Sequence, residues 1–174
     1  MLQKTSLKAR TGGQVLVDQL LIHGADTAYC VPGESYLEVL DALHDVQDRF
    51  NLINARHEAG AANMAEAHGK LTGRPGICFV TRGPGATQAA VGVHTALQDS
   101  TPMILLVGQV RREDEGREAF QELDYAQAFA GLAKAYSPVL PILTVAGAWM
   151  VLRRRRKLDL IVLCWLVIFL FARI

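Results

Sequence analysis

Three short stretches carry the groups best suited to chemistry: Val31-Pro32-Gly33-Glu34, Arg56-His57-Glu58-Ala59-Gly60 and Thr81-Arg82-Gly83-Pro84-Gly85-Ala86-Thr87. Glu58 opens an Ala-rich run that reads as a helix, and the helix dipole stabilises an ionised carboxylate in a first turn. It has two readings, an ordinary first-turn carboxylate or a proton-exchanging group. His57 likewise reads either as a structural hydrogen-bonding residue or as part of a reactive site. The third stretch offers backbone N–H groups near a helix start, an arrangement that cradles anions. It lacks the Lys-Ser/Thr pair of a phosphate-binding P-loop and is not G-x-G-x-x-G, so alone it is a weak signal.

The elements around these stretches alternate between helix and strand. Val15, Leu16, Val17, Leu20 and Leu21 recur at helical spacing and stop at His23-Gly24. Ala28-Tyr29-Cys30-Val31 reads as a buried strand. Ser35 is placed to cap a helix carrying Leu37, Val39, Leu40 and Leu43. Leu52-Ile53-Asn54-Ala55 is the next strand. Residues 58–72 form a helix with a small-residue face, ended by Gly73. A strand at Ile77-Cys78-Phe79-Val80-Thr81, a helix over 87–97 and a strand at Met103-Ile104-Leu105-Leu106-Val107 follow. Residues 111–118 read as a solvated, charged surface loop.

Apolar strands alternating with helices imply an α/β fold, an open parallel sheet with helices on both faces. Crossovers in such sheets are right-handed, and ligands gather at the carboxyl ends of the strands. All three chemistry-bearing stretches follow strands, so they converge on one edge.

Composition narrows the class. The chain has 174 residues, 51% hydrophobic and 20% charged, with 15 glycines, which excludes disorder and collagen and suits one domain. Its net charge of +1 hides a split. Residues 1–137 hold 12 basic and 16 acidic side chains, whereas residues 138–174 hold six basic residues against Asp159 alone. Cys30, Cys78 and Cys164 form no CxxC pair or Cys/His cluster, so neither zinc nor a disulfide framework is expected. Cys30 and Cys78 read as reduced core thiols. Residues 1–10 carry no signal-peptide pattern, and a reducing cytoplasm is the default.

Taken together the loops are more specific than any one of them. The run RHEAGAANMAEAHGKLTGRPGICFVTRGPGATQAAVGVHTALQDSTPMILLVGQV, with VPGESYLEVLDAL before it and EAFQELD after it, resembles the pyrimidine-binding domain of thiamine-diphosphate enzymes, especially acetolactate-synthase-like ones. The resemblance covers about residues 12–134. It implies that Glu58 matches the glutamate that hydrogen-bonds the aminopyrimidine and promotes its imino tautomer, whose nitrogen removes the thiazolium proton. A carboxyl group sharing a proton with a ring nitrogen at a subunit interface meets that need. Burial opposes the helix dipole there, so the environment decides its charge state.

By the same resemblance Pro32, Gly33 and Glu34 match the loop approaching the reacting end of the cofactor, and Pro84 and Gly85 the loop packing near the pyrimidine. Phe120 and Gln121 match the segment lining the substrate side. Gln109 has two equal readings, support for that segment or a structural role. The substrates implied are 2-keto acids, decarboxylated and then joined to a second carbonyl compound.

The resemblance also implies a second half-site. Family enzymes bind the diphosphate and Mg2+ through another domain marked by a GDG motif, and no Gly-Asp pair occurs in these residues. No metal ligands are therefore assigned, and the chain is expected to be inactive alone, working as a homo-oligomer or with a chain carrying the diphosphate-binding domain. The organisation expected is an extension at 1–11, the pyrimidine-binding domain at 12–136 and a hydrophobic, basic tail at 137–174. Two uncharged runs of that tail, 15 and 13 residues long, each fall short of the ~20 needed to span a bilayer. The tail reads as a truncated or frame-shifted end, with a membrane contact as the lesser reading. Alternatives for the whole are a pyrimidine-domain subunit of a split keto-acid decarboxylase, or a non-catalytic dimerisation or membrane-tethered module. Nucleic-acid binding is not expected, because the globular part is acidic.

Overall fold

The structure, a computed structural model, describes residues 9–133. The expectations for the tail and for Cys164 lie outside those residues. Helix α1 (Gly12–Ile22) starts in a capping box: Thr11 Oγ1 accepts from the Gln14 N–H, and the Gln14 side chain accepts from the Thr11 N–H. Then come β1 (Thr27–Cys30), a 3-10 turn (Glu34–Tyr36) and α2 (Leu37–His44). Strand β2 (Asn51–Asn54) leads into α3 (Glu58–Thr72), which ends at Gly73 in the left-handed conformation, φ 67°. Strand β3 (Gly76–Val80), α4 (Pro84–Gln98), β4 (Met103–Val107) and the short α5 (Tyr125–Ala128) complete the order.

The four strands are all parallel in the order β2-β1-β3-β4. The expected α/β architecture, a parallel sheet with helices on both faces, is what the chain forms. Side-chain alternation sorts each central strand between two cores. Ala28, Cys30, Ile77 and Phe79 join Val17, Leu43 and Phe50 against α1 and α2. Cys78, Val80, Met103 and Leu105 join Ala61, Ala62, Ala65, Ala86 and Ala89 against α3 and α4.

Three local readings differ from the structure. Ser35 does not cap α2; it lies inside the 3-10 turn, where its hydroxyl bonds Thr81 Oγ1 at 2.8 Å. Helix α4 begins at Pro84 rather than residue 87, because proline has no N–H to lose in a first turn. Strand β2 is mostly exposed, with only Leu52 packed on a core. It is an edge strand, and α3 crosses over β1 to reach β3, leaving Ile53 41% exposed. Residues 111–118 are exposed apart from Asp114, as their charge implies.

Helices α3 and α4 touch through their smallest residues. A Cβ at Gly92 would fall 2.6 Å from the Cβ of Ala62 and 2.7 Å from its carbonyl carbon. Gly92→Ala gains about 1 kcal/mol of helix propensity, but overpacking a backbone contact costs about 1–3 kcal/mol. The second effect wins, so this substitution is expected to lower stability in urea denaturation; a rise would show that the helices can separate freely.

The two central thiols are free and fully buried. Burial pushes Cys30 up to about 11 and Cys78 up to about 12, the neighbouring Cys30 and Glu58 adding to the latter. An unfolded thiol ionises near 9.0. Between those values the unfolded chain releases protons that the folded chain keeps, so this contribution is complete below about pH 9 and falls as pH rises. The expected loss reaches about 1.4 kcal/mol per pH unit for each thiol. Denaturation of the wild type and Cys78→Ala at about pH 8 and about pH 10 checks it; an unchanged slope in the variant removes Cys78 from the effect.

Candidate functional site

The strand order reverses between β1 and β3, because the chain goes outward to β2 and then crosses back. At such a switch point the loops leave in opposite directions and open a crevice beyond the carboxyl ends. The loops after β1 and β3 flank it, and α3 starts beside it.

Glu58 is the first residue of α3, half-buried. His57 caps the helix, its Nδ1 accepting from the Ala59 N–H at 3.1 Å, so its structural reading is the one observed. A Cβ placed on Gly85 would stand 3.5 Å from Glu58 Oε1. Glu58 thus lies beside the start of α4, and Thr81 packs there too, its Cγ2 2.9 Å from the same Cβ position. Glu58 is also near enough to the floor of the crevice for its charge to act on it. Burial first, and then neighbouring charges including that of Glu58, push Tyr36 upward. Tyr36 donates to the Val31 carbonyl at 2.5 Å and stacks on Phe79 at 5.9 Å, which fixes the loop after β1 to the sheet.

The structure brings most of the sequence-predicted residues to this edge. Gly33 packs on Thr81, where a Cβ would come within 2.7 Å of the threonine Cβ. Glu34 Oε1 accepts from Arg82 Nη2 at 2.7 Å. Pro84 is exposed at the head of α4, with its carbonyl accepting from Thr87 Oγ1 at 2.9 Å. Pro32 is exposed on the opposite loop. Phe120 lies 74% exposed, held through its backbone: its carbonyl accepts from Arg82 Nε at 3.0 Å. The Gln121 backbone lies over Gly83. Gly83 has φ 51°, a conformation that favours glycine, and a side chain there would also strike the Gln121 carbonyl. Gln109 makes a local bond, its Oε1 accepting from the Val110 N–H at 2.9 Å, which matches its structural reading.

Three side chains outside the predicted set complete the edge. Ser35 bonds Thr81 and also accepts from the Arg82 N–H at 3.3 Å. The Tyr125 hydroxyl accepts from the Gly83 N–H at 3.0 Å and donates to the Gly108 carbonyl at 3.5 Å. Burial raises its pKa, against the opposing Gly83 bond. Arg82 is the third, 14% exposed while its partner Glu34 is 64% exposed. Solvent screening leaves that ion pair about 0–1 kcal/mol, and the same guanidinium also donates to the Phe120 carbonyl. A sequence signal for Arg82 does exist: an arginine between a buried strand and a tight turn needs an acceptor, and Glu34 is the acid in the neighbouring loop.

The arrangement can do one thing chemically. It holds a carboxylate at a helix start, beside the first turn of α4. Such a group can accept a hydrogen bond from, or exchange a proton with, a polar group that reaches it. The described residues contain no cluster of three or more His, Cys, Asp or Glu able to hold a metal ion. None of their helices is long and apolar enough to cross a membrane.

Comparison with known proteins agrees with this geometry. Residues 10–128 match the family described as thiamine pyrophosphate enzyme, N-terminal TPP binding domain. Acetolactate synthase from Bacillus subtilis is 41% identical over 132 residues, 76% of this chain and 23% of that protein. The mitochondrial acetolactate synthase catalytic subunit of Saccharomyces cerevisiae is 40% identical over 120 residues, 69% of this chain and 17% of that protein. The acetolactate synthase large subunit of Parasynechococcus marenigrum is 42% identical over 116 residues, 66% of this chain and 19% of that protein. The chain thus spans about a fifth of the length of these relatives. With its parallel sheet, its switch-point crevice and a glutamate at the head of α3, the chain belongs to the thiamine pyrophosphate enzyme family, as an N-terminal TPP-binding domain resembling that of acetolactate synthase.

Proposed function

We propose that this domain holds the aminopyrimidine end of thiamine diphosphate in an acetolactate-synthase-like enzyme that decarboxylates a 2-keto acid and joins the product to a second carbonyl compound. The observation that carries the reading is Glu58 at the start of α3 and close to the head of α4, where a Cβ on Gly85 would stand 3.5 Å from its Oε1. Glu58 shares a proton with the ring nitrogen. Gly85 and Pro84 bound the ring from the α4 side, and Pro32, Gly33 and Glu34 bound it from the β1 side. Phe120 and Gln121 face the substrate. When bound, thiamine diphosphate supplies the electron sink for decarboxylation.

The remainder of the site comes from a diphosphate-binding domain, which supplies the Mg2+ ligands. The relatives' greater length and the small share of it covered here support that division of labour. The partner is then a second copy of a longer chain or a separate chain carrying that domain. Without it this domain is inactive.

In an assembly containing both domains, Glu58→Gln is expected to lower keto-acid turnover by about 100-fold to 10,000-fold. Glutamine is isosteric and still bonds a ring, so cofactor affinity measured by titration calorimetry should stay within about tenfold. Near-normal turnover would remove Glu58 from the chemistry.

A further inference from the structure

Residues 109–124 leave the sheet after β4 and return over its carboxyl edge, yet little apolar packing keeps their turn in place. Phe120 is 74% exposed, and residues 111–118 are exposed apart from Asp114. Glu118 and Gln121 have φ of 56° and 63°, a region disfavoured for any residue with a Cβ. Leu123 packs against the core, and hydrogen bonds hold the turn before it. Inside it, the Glu122 carboxylate accepts the Gly116 N–H at 2.5 Å and the Ala119 N–H at 3.0 Å, contacts that hold its pKa below the usual carboxylate value.

The ties from this segment to the rest of the domain converge on one loop. Tyr125 holds the Gly83 N–H, and Arg82 Nε holds the Phe120 carbonyl at 3.0 Å. The same guanidinium reaches Glu34 through Nη2 at 2.7 Å. A planar fork with several fixed donors can serve a carbonyl and a carboxylate together, whereas a lysine ammonium is a point charge on a flexible stem. Arg82 is itself anchored, since its backbone N–H is held by Ser35.

We propose that Arg82 is a positioning residue that sets where Phe120 and Gln121 stand relative to the Pro32-Gly33-Glu34 loop, and so shapes the substrate side of the site. The link to substrate rests on the function proposed above. The coupling between the two segments does not, and it can be read without cofactor.

The test is amide hydrogen exchange on the full 174-residue chain, comparing wild type with Arg82→Ala, Arg82→Lys and Glu34→Gln. In Arg82→Ala, peptides covering 116–124 should exchange at least about tenfold faster, as loss of a charge-assisted bond implies. Those covering β3 should change by less than about twofold. Added ethylguanidinium should restore protection at 116–124, and ethylammonium should not. Arg82→Lys and Glu34→Gln should each give a smaller acceleration, since each removes part of the bridge. Unchanged exchange at 116–124 overturns the proposal, as does equal acceleration throughout the sheet without rescue. If Arg82→Ala fails to fold, Arg82→Lys decides: no local acceleration there overturns it. Failure of the cofactor reading would show instead as normal turnover in Glu58→Gln, with these exchange rates unaffected.

Discussion

The close approach of α3 to its neighbours is the constraint on which the site depends. Helix α3 must cross β1 to carry the chain from β2 to β3, and it lies against the sheet because the contacting residues have almost no side chains. A Cβ on Gly76 would run into the backbone of Ala65, and one on Gly92 into Ala62. The core beneath is correspondingly rich in alanine, with Ala61, Ala62, Ala65, Ala86 and Ala89 all fully buried. Small residues surrender apolar area, about 25 cal/mol for each Å². What they gain is a helix axis held near the switch point, so that its first residue, Glu58, is delivered beside Gly85. A bulkier interface would lift α3 and carry the carboxylate away with it.

Electrostatics at the crevice follow from that placement. Cys30, Cys78 and Tyr36 are protonated near neutral pH in any case, and burial pushes their pKa values further up. Glu58 stands at the start of α3, at the positive end of the helix dipole. Arg82 and Glu34 largely cancel each other at the rim.

The edge is also tied together by polar contacts spanning long stretches of chain. Ser35 to Thr81, Glu34 to Arg82, Arg82 to Phe120 and Gly83 to Tyr125 join segments that are distant in sequence. The network adds to the packing of Tyr36 on Phe79 and of Leu123 on the core. The price of this design is dependence on a few donors, Arg82 above all.

Much of the fold was legible in the sequence because its signals are local. Continuous apolar runs in β3 and β4, helical spacing in α1 and a small-residue run ended by Gly73 each report a neighbourhood of a few residues. The three loops at one strand edge followed from parallel pairing alone. The resemblance to thiamine-diphosphate enzymes singled out Glu58 where spacing left it open. What the sequence could not yield was contact between distant residues. Ser35 read as a cap because its local context suits one, and tertiary packing turned it toward Thr81 instead. The exposure of β2 depended on which strand lay at the edge, and the bridging role of Arg82 on where residues 109–124 return. Local composition therefore determined the elements and the order of the loops. The tertiary structure alone decided which side chains meet across them, because a hydrogen bond senses distance in space and not separation along the chain.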